Sequence, residues 1–148
     1  MIFNWILINK FAIGTPLISE KDKLFLKKNN INSILDLRNK FDFDQIDYNK
    51  QLTLYKGFNS VNLGLPDHNS KRLATKLEIS NAVNNLEKLI LDGPVFMHCH
   101  AAAERSPLIS IAFLMKNKSL NFMQAYEYVK QQNKSTSISI EQLNKIQV

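Results

Sequence analysis

Cysteine is scarce in this chain: Cys99 is the only one among 148 residues. A single cysteine excludes an internal disulfide, which suits a reducing compartment, so we expect a cytoplasmic protein. The sequence also lacks internal repeats and low-complexity segments, and 45% of its residues are hydrophobic, which is enough for a core. We therefore expect one domain over residues 1–148.

The chain has no apolar run long enough to span a membrane. Residues 1–8 are largely apolar, but they carry no basic leader and are interrupted by Asn9 and Lys10. A membrane-spanning helix needs about 20 apolar residues. We interpret the segment as the first strand and expect no membrane association.

Clusters of basic residues are also missing, although the formal net charge is +6 and the sequence pI is about 9.4. This charge suits an anionic partner, but the lysines are scattered and no nucleic-acid-binding motif accompanies them. A solvated lysine-rich surface explains the same charge, so nucleic acid is not the partner we expect.

The most informative segment surrounds the single cysteine and runs from His98 to Pro107. It follows Pro94–Met97, an apolar stretch that predicts a buried strand, and Pro107 suits the first turn of a helix. A loop between a strand and a helix turns backbone N–H groups inward and binds an anion. The same helix N-terminus stabilises a thiolate, and Arg105 offers a planar fork that binds two phosphoryl oxygens.

A buried structural cysteine with Arg105 on a helix surface is the simpler alternative. The flanking histidines, His98 and His100, suggest a metal site, but zinc needs three or four ligands and the only other histidine is His68. We therefore expect no metal and no organic cofactor.

The run from His98 to Ser106 resembles the active-site signature of cysteine-dependent protein tyrosine phosphatases. Three other segments, 13–16, 34–38 and 65–68, resemble stretches of the small dual-specificity phosphatases, in the same order. The resemblance covers nearly the whole chain. It implies an α/β fold, with a central and mostly parallel sheet flanked by helices and a phosphate-binding loop between a strand and a helix.

The resemblance also implies roles for individual residues in a metal-independent phosphomonoesterase. Cys99 is the nucleophile and forms a phosphocysteine, Asp67 is the general acid, Ser106 donates a hydrogen bond to the sulfur, and His98 orients the loop. Phosphate is bound by Arg105 and by the loop residues His100, Ala101, Ala102, Ala103 and Glu104. A proline–aspartate segment is also an ordinary turn, and Ser106 also suits a helix cap.

The loop departs from the family pattern at two positions, where Ala102 replaces a glycine and Glu104 replaces a small residue. Alanine implies that this position is not left-handed or that the loop is strained. We expect Glu104 to face outward and to pair with a surface lysine, since an inward carboxylate repels phosphate. These departures leave open a phosphate-binding pseudophosphatase and a rhodanese-fold phosphatase or sulfur carrier.

Residues 100–104 of the loop also bear on the expected substrate. This segment contains no lysine, whereas phosphatases of the resembled family that act on inositol lipids often carry basic residues there, so these lipids are disfavoured. The resemblance implies instead a phosphorylated protein carrying phosphotyrosine and also phosphoserine or phosphothreonine. Another phosphomonoester stays possible from the sequence alone. We expect a monomer.

The hydrophobic pattern predicts five strands, at residues 3–8, 11–13, 33–37, 58–63 and 95–98. Helices are expected at 20–28, between Asp42 and Tyr55, after Ser70 as a cap, and from Arg105. Two more begin at Ser119 and Ser139, the latter with Gln142 as a capping-box partner. The apolar positions that predict the helix after Ser70 include Leu77, and the apolar faces of the last two helices, which include Met123 and Ile140, are assigned to the core.

Overall fold

The computed structural model describes residues 1–42, 45–67 and 70–146. A five-stranded sheet has the order β1-β2-β5-β3-β4, in which only the β1–β2 pair is antiparallel. Its strands are β1 (Phe3–Leu7), β2 (Phe11–Gly14), β3 (Ser33–Asp36), β4 (Asn59–Asn62) and β5 (Val95–His98). The predicted mostly parallel sheet is confirmed, and the strand that leads to Cys99 lies at its centre.

Six helices connect or flank the strands in the described part of the chain. They are α1 (Glu20–Lys28), α2 (Gln45–Leu54), α3 (Lys76–Ile90), α4 (Arg105–Asn117), α5 (Phe122–Gln132) and α6 (Ile140–Leu143). The predicted positions of all five strands and of most helices agree with these bounds to within one or two residues; the start of α3 is the main exception.

The start of α3 corrects the prediction that Ser70 caps it. The helix begins after Thr75, whose side chain accepts a hydrogen bond from the Glu78 backbone N–H, and the Glu78 carboxylate binds the Thr75 amide in return. This reciprocal capping box satisfies two N–H groups that the helix itself cannot pair. Leu77 lies in the first turn of this helix and is 80% exposed, so it does not belong to the buried face of α3.

The later helices carry two further corrections. Asn121, rather than Ser119, caps α5, and it forms its own capping box with Gln124. Ser139 caps α6 as predicted, but the Gln142 side chain binds the N–H and C=O of Ala74 instead of closing a box. Met123 and Ile140 are 59% and 74% exposed and lie outside the core.

Alternation along the strands divides the core into two apolar clusters on opposite faces of the sheet. One cluster packs α3, α4 and α5 against residues that include Leu35, Val95 and Met97. The other packs α1 and α2 against residues that include Ile34 and Phe96. No helix within the described residues is long and apolar enough to cross a membrane.

Candidate active site

The loop that follows β5 brings the predicted residues together. Strand β5 ends at His98 and α4 begins at Arg105, so residues 99–104 form the connection. A cavity of about 460 Å³ opens beside it, lined by Asp67, Cys99, Arg105 and four of the predicted loop residues: His100, Ala101, Ala103 and Glu104. Cys99 is 2% exposed. Asp67 therefore reaches the cavity from a distant part of the chain.

The Cys99 sulfur lies against the first turn of α4. Its Sγ is 3.3 Å from the Ser106 hydroxyl oxygen, and Ser106 is fully buried. Pro107 occupies the same turn, where its missing N–H costs no helical hydrogen bond. The predicted contact between Ser106 and the sulfur is present, and the positive end of α4 points toward the thiol.

Arg105 is held by a carboxylate that the sequence reasoning did not assign to the site. Its two terminal nitrogens donate to the two oxygens of Asp42, each at 2.8 Å. Burial alone raises the pKa of Asp42, but the hydrogen bonds and charge of Arg105 hold it below its usual value. This fork-to-fork pair uses one edge of the guanidinium and fixes its plane.

Asp67 is oriented by its neighbour Ser70. Its Oδ1 accepts from the Ser70 amide at 3.1 Å and from the Ser70 hydroxyl at 3.2 Å, while Oδ2 lies 3.9 Å from Arg105 Nη2. One carboxylate oxygen is thus held by the loop, and the other faces the cavity. His68, which belongs to the segment that suggested this assignment, lies outside the described residues.

His98 supports the loop from beneath. Its Nε2 lies 2.6 Å from the Tyr55 hydroxyl, and its Nδ1 lies 3.2 Å from the Cys99 carbonyl oxygen. Complete burial lowers the pKa of His98, although the Asp36 charge opposes the shift. The geometry agrees with the loop-orienting role that the resemblance implies for this histidine.

A buried polar cluster continues from Tyr55 into the sheet. The Tyr55 hydroxyl donates to Asp36, which also accepts two hydrogen bonds from the Arg38 guanidinium. Gln51 accepts a further bond from Arg38 and donates to the Leu17 carbonyl. Burial alone raises the pKa of Asp36, but the charges of His98 and Arg38 and the Arg38 hydrogen bonds keep it lowered. Gln51 lies in α2 and Tyr55 directly follows it, in a part of the chain whose place in the fold the sequence did not reveal.

Comparison with known protein families shows which family the chain belongs to. The family model "Dual specificity phosphatase, catalytic domain" matches residues 17–147 of the chain. The chain belongs to this family. Dual specificity phosphatases are cysteine-based enzymes that require no metal, and the family membership supports hydrolysis of phosphorylated proteins in general terms.

Individual relatives agree with this assignment. The chain is 44% identical over 45 residues to dual specificity protein phosphatase 5 of Rattus norvegicus, a match that covers 30% of this chain and 12% of the relative. It is 33% identical over 72 residues to protein-tyrosine-phosphatase IBR5 of Arabidopsis thaliana, covering 48% of this chain and 28% of the relative. The matches thus span less than a third of these longer proteins.

A solved structure shows the same fold over almost the full length. The human tyrosine phosphatase-like serine/threonine/tyrosine-interacting protein aligns with a TM-score of 0.78, at 17% identity, over 98% of this chain and 93% of its own. The α/β fold implied by the resemblance is confirmed, and the rhodanese-fold alternative has no support.

Two positions distinguish this dual specificity phosphatase domain. Ala102 has φ of +54°, so the position is left-handed and the loop carries a residue that disfavours this conformation. Ala102 is fully buried, and of the predicted loop residues only it does not line the cavity. Glu104 is partly buried and also lines a second cavity with Lys71 and Arg72.

In the described part of the chain, no group of three or more His, Cys, Asp or Glu side chains is placed to hold a metal ion.

Proposed function

We propose that this protein hydrolyses phosphomonoesters on phosphorylated proteins through a cysteinyl-phosphate intermediate. The observation that carries the proposal is that Asp67, which is remote in sequence, lines one cavity with Cys99 and Arg105. A nucleophile, an anion-binding fork and a carboxyl group then surround the space that a phosphoryl group would occupy.

In the first step, the Cys99 thiolate attacks phosphorus and forms an S–P bond while the bond to the leaving oxygen breaks. Arg105 and the loop amides bind the remaining phosphoryl oxygens, and the Asp42 pair keeps the guanidinium plane fixed. The departing oxygen takes its proton from Asp67, whose Oδ2 is the oxygen facing Arg105.

In the second step, water attacks the phosphocysteine. Asp67, now ionised, accepts the proton of the attacking water, and the S–P bond breaks to release inorganic phosphate and the thiolate. The Ser106 hydroxyl, 3.3 Å from Sγ, donates a hydrogen bond to the sulfur as it becomes negative. No step requires a metal or a cofactor.

Substrate and compartment belong to the same proposal. Phosphotyrosine together with phosphoserine or phosphothreonine is favoured by the family, and the loop without lysine disfavours inositol lipids. The single, buried Cys99 has no disulfide partner in the chain, which supports a cytoplasmic enzyme.

The test is hydrolysis of an aryl phosphate at mildly acidic pH with a chelator present. We compare the wild type with Cys99→Ser, Asp67→Asn and Arg105→Lys, since each variant removes one proposed function with little change in shape. We expect no turnover by Cys99→Ser and losses of at least about a hundredfold in the other two. The pH–rate profile should be bell-shaped with an acidic optimum.

Three results would contradict the proposal. Activity that the chelator abolishes would indicate a metal, and unchanged activity of Asp67→Asn would remove its role as general acid. A wild type that protects Cys99 from alkylation with vanadate, but hydrolyses nothing, would identify a phosphate-binding module instead.

A further inference from the structure

The phosphate-binding loop contains a conformational penalty. Ala102 adopts φ of +54°, a region that glycine enters freely and alanine disfavours because of its Cβ. The family pattern has glycine here, and residues 99–105 contain none. Contacts from outside the loop must therefore hold Ala102 in place.

The segment after α5 makes these contacts, and we call residues 133–137 the loop clamp. The Ala102 carbonyl accepts hydrogen bonds from Asn133 Nδ2 at 2.6 Å and from the Ser135 hydroxyl at 2.9 Å. The next carbonyl, that of Ala103, accepts from the Ser137 backbone N–H at 2.7 Å. Two successive carbonyls of the loop are thus held on the side of the clamp.

Asn133 is itself fixed by the core. It is fully buried, and its Oδ1 accepts from the Asn4 side chain on β1 at 2.8 Å, which leaves Nδ2 to donate toward the loop. The Asn133 carbonyl accepts from Thr136, and the Thr136 carbonyl from Lys130. The clamp is therefore a rigid support rather than a loose surface loop.

The clamp has a consequence for the opposite side of the loop. In a planar trans peptide the C=O and the following N–H point in opposite directions. When the carbonyls of Ala102 and Ala103 point to the clamp, the N–H groups of Ala103 and Glu104 point away from it. Both residues line the Cys99 cavity, so these two N–H groups are candidates to bind an anion there.

We propose that Asn133 and Ser135 are positioning residues that replace the missing glycine. They hold Ala102 in its left-handed conformation, and by fixing the two peptide planes they aim the Ala103 and Glu104 amides at the phosphoryl oxygens. The inference rests on the proposed phosphatase function in one respect: the anion that these amides bind is taken to be the phosphoryl group of the substrate.

The experiment is a mutant cycle that measures vanadate affinity of the full chain. Ser135→Ala is introduced into the wild type and into the Ala102→Gly background, with Ser60→Ala on exposed β4 as a matched control. We expect Ser135→Ala to weaken vanadate binding about fivefold in the wild type, as for loss of one hydrogen bond. In the Ala102→Gly background the loss should fall below about twofold, because glycine needs less support.

Asn133→Ala should have the larger effect, and since it also empties a buried site, its folding is checked first by circular dichroism. Ser135 is exposed, so Ser135→Ala keeps the test valid if Asn133→Ala fails to fold. A second readout is the pH profile of Cys99 alkylation, with and without vanadate. Weaker protection by vanadate in Ser135→Ala, restored by Ala102→Gly, would support a positioning role that stability loss alone does not explain.

Equal losses in both backgrounds would overturn the proposal, as would unchanged affinity of Ser135→Ala or a wild type that binds no vanadate. Turnover is measured separately. A wild type that binds vanadate but hydrolyses no phosphoester would contradict the proposed function while leaving the mutant cycle intact.

Discussion

The two faces of the sheet support the same loop by different means. On the face covered by α3, α4 and α5, the carboxyl end of β5 packs in a mainly apolar cluster that includes Met97 and Cys99. On the face covered by α1 and α2, the apolar cluster gives way near the loop to the buried polar cluster of Asp36, Arg38, Gln51, Tyr55 and His98. Packing dominates on the first face, whereas on the second face the hydrogen bonds of the polar cluster support the loop through His98.

The difference follows from the alternation of β5 and its neighbour β3. His98 and Asp36 are partners in register and point to the same face, whereas Met97 and Leu35 point to the opposite face. Hydrogen bonds are directional and apolar packing is not. Substitutions in the polar cluster should therefore disturb both stability and catalysis, and those of apolar core residues on the opposite face mainly stability.

The largest effect should come from Asp36→Ala. The substitution leaves the Arg38 guanidinium buried without its carboxylate, and we expect the free energy of unfolding to fall by about 3–5 kcal/mol. Urea denaturation measures this, with Asp92→Ala at an exposed position as the control. A loss no larger than that of the control would show that the polar cluster contributes nothing to stability.

Leu86→Ala probes the apolar face, where the side chain is fully buried in α3. We expect a loss of about 3 kcal/mol in the free energy of unfolding, from lost burial and the cavity that remains. At a temperature where the variant stays folded, kcat/KM should match that of Leu91→Ala, a leucine that is 85% exposed. A selective loss of activity would contradict the division of roles between the faces.

Asp42→Asn tests whether the Asp42 carboxylate orients the Arg105 guanidinium beside the cavity, since the substitution leaves the size of the side chain unchanged. The amide keeps the size of the side chain but removes the charge that pairs with Arg105, so the guanidinium loses its fixed plane. We expect kcat/KM to fall about tenfold, or about 1.4 kcal/mol in the barrier, with partial recovery in Asp42→Glu. If Asp42→Asn is as active as Asp92→Asn, the ion pair does not position Arg105.

The smallest expected effect is the pH dependence of the free energy of unfolding, which also involves groups of the polar cluster. The pKa values of His98, Asp36 and Asp42 are all lowered in the folded protein, so the unfolded chain binds more protons as the pH falls. These three groups therefore contribute their full stabilisation at neutral pH, and the contribution of His98 declines below 6.5, its ordinary pKa, by at most about 1.4 kcal/mol per pH unit.

This decline can be assigned to one residue. His98→Asn should flatten the dependence of urea midpoints on pH between 6.5 and 5, because the other groups with lowered pKa values are the carboxyls of Asp36, Asp42 and Glu78, whose ordinary values are 3.8 or 4.5. An unchanged slope in that interval would show that His98 is not the group responsible.

Local signals explain why the centre of the site was predictable from the sequence. The β5 strand, the loop and the start of α4 are continuous in the chain, and Pro107 marks the helix start. The capping boxes Thr75–Glu78 and Asn121–Gln124 are equally local, and the serines chosen instead, Ser70 and Ser119, are residue types that suit both caps and loops.

The supports of the site could not be predicted in this way. Asp42, Tyr55 and Asn133 reach the loop from separate elements, and nothing in one sequence states which buried donor faces which acceptor. The left-handed conformation of Ala102 could not be predicted either. It is fixed by a segment about thirty residues later in the chain, whereas alanine itself disfavours this conformation.

The central place of β5 also has a consequence for how the protein folds. This strand pairs with β2 and β3, whose residues precede their β5 partners by 84 and 62 positions, so both pairings require long loop closures. Such non-local pairing slows folding relative to helical domains of similar size. We infer that the nucleophile reaches its final surroundings late in folding, and that partial chains ending before β5 cannot assemble the catalytic loop.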